Sequence, residues 1–239
     1  ISCSLVGSEM CIRDRVYSAL SHIKETYPEY IPCVLLQMTL VAFSDIIQIA
    51  REWNSDGLLK SFVLSNIHGL SPNFINGVKT VDYEETKQLY LHILDAYEKH
   101  QDWVVLKIFL DECLAYWKDR PIIDAGQSVP MATCMPINSK IYIDSQMQIG
   151  ICEKVADKYR IGNVKNGIDW KRANEIVEEY YHKRVERCKY CPAIRMCDMC
   201  LTAVEYSDEQ WDILCHNERV YAQIFMFLYC EMAERGLIK

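Results

Sequence analysis

An α/β fold followed by a small, cysteine-bearing α+β region is what this sequence predicts, and three observations predict it. Residues 16–120 alternate between helical and strand-like apolar patterns. Residues 121–133 contain Gly, Pro and Ser and show no period, which marks a boundary. Residues 134–239 carry hairpin signals and most of the cysteines.

In the first region, Tyr17 to Tyr27 has helical spacing at Leu20, Ile23 and Tyr27 and stops before Pro28 and Pro32. The run Cys33 to Leu40 is short, continuous and apolar, as a buried parallel strand would be. Ser44 is placed to cap a helix through Trp53, with Ile46, Ile47, Ile49 and Ala50 inward, ending at Asn54-Ser55-Asp56-Gly57. Ser61 to Ser65 reads as the next strand, so the segment is a βαβ unit. Asp82 opens a helix from Tyr83 to His100, acidic in its first turn and basic in its last, as the helix dipole favours. Trp103 to Trp117 is a second apolar helix. His68 and His92 have no catalytic partner nearby in sequence and read as structural; Cys33 and Cys113 read as small buried hydrophobes.

Residues 1–15 stand apart. Leu5 to Arg15 resembles the translation of a sequencing-library adaptor, so these residues are left out of the fold reading, and the chain is expected to be an N-terminally truncated fragment. They do not form a signal peptide, having no basic start followed by an apolar run and a small-residue cleavage site.

Beyond the boundary, Cys134 is followed by a strand, Lys140 to Asp144, a Ser145-Gln146 turn and a second strand, Met147 to Cys152. Such a hairpin is able to bring the thiols of Cys134 and Cys152 to one site. Tyr159 to Val164 reads as a short strand with a Gly162-Asn163 turn, and Asp169 caps a helix from Trp170 to Arg187 that delivers the chain to Cys188. There the pattern is Cys188-x2-Cys191-x5-Cys197-x2-Cys200, with Cys215 further on. Two Cys-x2-Cys pairs this close are a strong metal-thiolate signal. Four cysteines suffice for one tetrahedral zinc, but seven suit two sites better. Ser207 and Gln210 have capping-box spacing, and Trp211, Leu214, Cys215, Tyr221, Ile224, Phe225 and Leu228 then recur as a core-facing stripe.

Composition narrows the function classes. Twelve cysteines would suggest disulfides in a short secreted chain, but here they are bunched within a long, charged sequence able to bury an ordinary core. A reducing, cytoplasmic setting is the expectation. The net charge of −7 and the lack of a basic, aromatic-rich patch argue against a nucleic-acid partner. No stretch approaches the ~20 apolar residues of a membrane span.

The hairpin from Ile141 to Cys152 after Cys134, the Tyr159-Arg160-Ile161-Gly162-Asn163-Val164 stretch, the four-cysteine knot and the last cysteine together resemble the SPASM domain of radical S-adenosylmethionine enzymes. Cys152-Glu153-Lys154-Val155 and Cys191-Pro192-Ala193-Ile194-Arg195-Met196-Cys197 are most similar to maturases of ribosomally made peptides. The resemblance covers residues 134–215 by motif and 16–120 only by element order. It implies the C-terminal part of a partial (β/α)6 barrel over 16–120, a linker at 121–133 and an auxiliary-cluster domain with a C-terminal helix over 134–239.

The same resemblance assigns Cys188, Cys191, Cys197 and Cys215 to one auxiliary [4Fe–4S] cluster and Cys134, Cys152 and Cys200 to another. The fourth ligand of the second could be Cys113, Cys230, a non-cysteine group or an open position. The spacer Cys197-Asp198-Met199-Cys200 is shorter than the family's usual glycine-containing one, which weakens the assignment of Cys200. The Cys-x3-Cys-x2-Cys loop that holds the AdoMet-cleaving cluster occurs nowhere in this sequence. AdoMet and a third [4Fe–4S] cluster are therefore expected only in a full-length parent, where a 5′-deoxyadenosyl radical would initiate crosslinking or other modification of a precursor peptide. A ferredoxin or flavodoxin reductant is implied as well, and this fragment is expected to be inactive alone. A zinc-binding interaction module and a ferredoxin-like electron carrier of another family are the competing readings.

Overall fold

A computed structural model describes residues 8–40, 42–69, 79–118, 141–152, 155, 157–194, 196–197 and 199–238. It is a mixed α/β structure, mostly helical, with one two-stranded parallel sheet and one four-stranded antiparallel sheet. The chain divides into two compact units. The first draws on Ile1–Ser71, Lys87–Ala115 and Leu228–Lys239, the second on Pro72–Thr86 and Tyr116–Phe227. Among the described residues no helix is long and apolar enough to cross a membrane.

In the first unit, α1 (Ser8–Thr26) begins within the segment that the sequence reading set aside. A 3-10 turn at Pro28–Cys33 leads into β1 (Leu35–Leu40), which pairs in parallel with β2 (Val63–Gly69). The register slips between Leu36 and Gln37, and the Ser65 hydroxyl donates to the Leu36 carbonyl (3.0 Å) there. Between the strands lies α2 (Ile46–Ser55), which buries Ile46, Ala50 and Trp53. Its start corrects the sequence reading: Ser44 sits in a 3-10 turn (Phe43–Asp45), and no side chain caps the helix. Asp56 ends the helix usefully, because its carboxylate accepts from the N–H groups of Leu58 and Leu59 and from the Tyr17 hydroxyl.

The helices α3 (Tyr83–Lys99) and α4 (Val104–Lys118) run where periodicity places them. The Asp82 carboxylate accepts from the Glu85 N–H (2.8 Å), as its capping role requires. The core of this unit combines Ile93, Leu94, Leu106, Leu110 and Leu114, with Tyr90 stacked on Phe109 and Phe109 against Phe43. The expected partial barrel is not what the described residues form: they contain no barrel, and their parallel sheet has two strands, β1 and β2. The Ile67 N–H of β2 donates to the Glu112 carboxylate (2.8 Å), a side chain serving where a neighbouring strand could have paired. The part of α6 (Asp208–Glu234) that belongs to this unit ends in a Schellman turn at Gly236, with the Leu237 N–H on the Met232 carbonyl.

The second unit is built on an antiparallel meander: β3 (Tyr142–Ile143), β4 (Gln148–Gly150), β5 (Arg160–Asn163) and β6 (Gly167–Ile168). The expected hairpin is present, its turn held by Asp144, whose carboxylate accepts from the N–H groups of Gln146 and Gln148. The expected Gly162-Asn163 turn is displaced to Val164–Asn166, and Gly162 lies inside β5. It must be glycine: its φ is +146°, and a Cβ there would meet the Gly167 carbonyl oxygen at 2.1 Å. Helix α5 (Trp170–Cys188) is capped by Asp169, which accepts from the Arg172 N–H (2.9 Å). Helix α6 (Asp208–Glu234) opens with the reciprocal Ser207/Gln210 box. Ile149, Ile161, Ile176, Tyr180, Leu201, Val204 and Trp211 form the core. The segment 121–133, read as a linker, lies outside the described residues.

Candidate metal centre

The knot forms because a charged helix runs directly into a chain of tight turns. Cys188 is the last residue of α5, and the Cys191 N–H closes back onto its carbonyl (3.0 Å). Ile194 N–H on the Cys191 carbonyl, Cys197 N–H on the Ala193 carbonyl and Ala203 N–H on the Cys200 carbonyl continue the pattern. The 3-10 segment Leu201–Glu205 then buries Leu201, Ala203 and Val204. Trp211 holds it through an Nε1–H donated to the Ala203 carbonyl (2.9 Å). Apolar burial on both sides thus fixes where the cysteines stand, with Cys188 and Cys197 buried, Cys191 and Cys215 half-buried and Cys200 exposed.

Electrostatics groups these thiols. Burial pushes the Cys215 thiol up to about 11, and negative charge on Cys188 and Cys191 pushes it the same way, while Arg219 and Arg187 oppose the shift. Cys188 is raised by burial and by Cys191, against Arg184 and Arg187. Cys188, Cys191 and Cys215 therefore share one neighbourhood. Cys197 joins it through Arg184, whose Nη1 lies 3.9 Å from its sulfur. The residues of the first expected ligand set thus fall around a common group of arginines. Among the described residues, no three His, Cys, Asp or Glu side chains converge on a common point that could hold an ion as they stand.

The second expected set is less gathered. Cys200 lies within electrostatic reach of Tyr180 and Tyr206. Cys152 packs against the core that contains Cys197, as Cys215 does, and it lines a small cavity of about 20 Å³ beside Asp144, Asp157 and Arg160. Cys134 lies outside the described residues. Of the candidates for a fourth ligand, Cys113 is buried in the first unit, with its thiol pushed up to about 12 by that burial, and Cys230 is exposed on α6.

No family model, curated protein or solved structure matches this chain. The chemistry of the site therefore rests on its residues. Cys33, Cys113, Cys152, Cys188, Cys191, Cys197, Cys200, Cys215 and Cys230 are free thiols.

The residue that sequence reasoning missed is Arg184. It is fully buried, and Nη1 donates to the Tyr180 hydroxyl (3.1 Å) and the Met199 carbonyl (3.2 Å). Burial works against its charge, but Tyr180 and the Cys197 and Cys188 sulfurs outweigh that and hold the guanidinium above its ordinary range. Tyr180, also fully buried, donates to the same Met199 carbonyl, and burial pushes its hydroxyl up to about 12. The spacing Tyr180, Arg184, Cys188 puts all three on one face of α5, a signal visible in the sequence once the helix is known.

This donor set fits a metal–thiolate group. A buried cation is costly unless anions meet it, and thiolates on a metal supply negative charge at the positions of these sulfurs. Arg184, Arg187 and Arg219 are placed to offset that charge.

Proposed function

We propose that this chain is the auxiliary iron–sulfur portion of a radical S-adenosylmethionine enzyme that modifies a ribosomally made peptide. The observation that carries the reading is a fully buried guanidinium set among Cys188, Cys197 and their neighbours, in a unit whose strand order begins with the expected cysteine-flanked hairpin. Cys188, Cys191, Cys197 and Cys215 would hold one [4Fe–4S] cluster; Cys134, Cys152 and Cys200 would contribute to a second. When bound, such clusters supply low-potential one-electron transfer or a coordination position for a substrate thiol.

The protein's own residues account for the rest. Trp211 and the buried 3-10 segment keep the second half of the knot in place, and the turns at Cys188–Cys191 and Cys200–Ala203 fix the spacing of the sulfurs. The arginines balance their charge. The parallel pair β1–β2 would belong to the later part of the superfamily's barrel. Leu35 and Val63, exposed on one of its faces, support a further layer over that face, since parallel sheets are ordinarily covered on both faces. With no Cys-x3-Cys-x2-Cys loop, this chain would not itself cleave AdoMet.

Anaerobic reconstitution with iron and sulfide, followed by metal and sulfide counting and a visible spectrum, tests the reading. Two clusters give about eight iron and eight sulfide per chain and broad visible absorbance. A colourless protein holding one or two zinc ions would replace this reading with a zinc-stabilised module.

A further inference from the structure

We propose that Arg184 is a positioning and potential-setting residue for the cluster held by Cys188, Cys191, Cys197 and Cys215, an inference that rests on the iron–sulfur reading above. The geometry is specific. Arg184 is fully buried, one helical turn from Cys188 on α5, and its Nη1 reaches the Cys197 sulfur (3.9 Å), the Tyr180 hydroxyl (3.1 Å) and the Met199 carbonyl (3.2 Å). Tyr180 donates to the same carbonyl. Met199 stands between Cys197 and Cys200, so one face of α5 grips the second Cys-x2-Cys step by its backbone while presenting a cation to its first sulfur.

Two consequences follow from this arrangement. Arg184 fixes the Cys197 side of the knot relative to Cys188, because the guanidinium is planar and its donors point in set directions. It also acts on charge. Reduction by dithionite brings one electron to the metal–thiolate group with no proton required, making it one unit more negative. A buried guanidinium beside the sulfurs favours that reduced state, and hydrogen bonds to cluster sulfurs raise the potential in the same sense.

The test is a redox titration of the reconstituted full chain, followed by electron paramagnetic resonance, comparing wild type with R184M and R184K. R184M keeps most of the volume and removes the charge and the donors; Tyr180 still satisfies the Met199 carbonyl. The expected result is slower or lower loading of one cluster in R184M and, in the protein that loads, one couple at least tenfold harder to reduce, a fall of ~59 mV for a one-electron step. R184K should shift the same couple in the same direction by less. If both variants load iron and both leave every potential unchanged, Arg184 only fills space and the inference is wrong. Should R184M fail to fold or load, R184K decides alone, an unchanged potential overturning the proposal. Wild-type protein that binds no iron instead sinks the iron–sulfur reading itself, a distinguishable outcome.

Discussion

Cys113 in the first unit and Cys188 with Cys215 in the second are cysteines of one chain in contrasting surroundings. All three have thiols raised by burial. Around Cys113 the acting charge is an anion, Glu112, and Tyr90 supplies a hydrogen bond. Around Cys188 and Cys215 the acting charges are arginines, together with other cysteines. Burial alone thus says little about what a cysteine is for. The sign of the charge beside it separates a small hydrophobe from a candidate ligand, because arginines partly offset the cost of a thiolate at Cys188 and Cys215, whereas Glu112 adds to it at Cys113.

That comparison breaks most readily at the ligands. The double variant C188S/C215S should lose about half of its bound iron, whereas C113A should bind as much as wild type and lose about 1–2 kcal/mol of stability. Equal iron loss in both, measured after reconstitution, would erase the distinction between the units. Next in size is Trp211, fully buried in the second unit and hydrogen-bonded to Ala203. W211A should cost about 3–5 kcal/mol in urea denaturation and reduce iron loading, since the chain segment after Cys200 loses its anchor.

A pH experiment sharpens the contrast further. Unfolded cysteine titrates near ~8.5, while the folded values of Cys113 and Cys215 are pushed up to about 12 and about 11. The folded state therefore holds more protons than the unfolded state in that range. Its contribution to stability is whole below about pH 8.5 and is lost as pH rises through the folded values. Metal-free protein should lose stability progressively above about pH 9, by chemical denaturation at fixed pH values. With metal bound, Cys215 has no proton to release, so the alkaline loss should shrink to the part due to Cys113 and to buried tyrosines such as Tyr180. An identical alkaline profile with and without metal would contradict this. The smallest effect is at the start of α6, where S207A should cost about 1 kcal/mol by removing the cap that Gln210 N–H uses.

How much of this was legible depended on range. Helix α5 with its Asp169 cap, α6 with its Ser207/Gln210 box and α3 with Asp82 were readable because capping is local chemistry between residues three apart. The parallel pairing of β1 and β2 followed from two apolar runs joined by a helix. Strand β6, two residues long, has no period to detect, and its pairing depends on Gly162 allowing the Gly167 backbone to come close. Ser44 looked like a cap, but the chain makes a 3-10 turn before α2, so the helix starts later. Within the site, the cysteine spacing was visible at once. Arg184 was not, because one arginine on a charge-rich helix resembles its neighbours until the fold shows that Arg184 is buried and Lys183 is only partly so.

Asn217 teaches the same lesson. This buried amide on α6 accepts from the Val81 N–H and donates to the Lys79 carbonyl, both at 2.8 Å, tying residues 79–82 to the helix. Nothing in its sequence surroundings distinguishes it from a solvent-facing asparagine, because its partners lie far away in the chain.

The central claim is that the cysteine knot of the second unit binds iron–sulfur clusters and the cysteine of the first does not. Anaerobic native mass spectrometry of the reconstituted chain, beside C113A and C188S/C215S, tests this most directly. The account predicts mass increments for two [4Fe–4S] clusters in the wild type and C113A, with at least one lost in C188S/C215S. An increment of one or two zinc ions, or unchanged cluster occupancy in C188S/C215S, would contradict it.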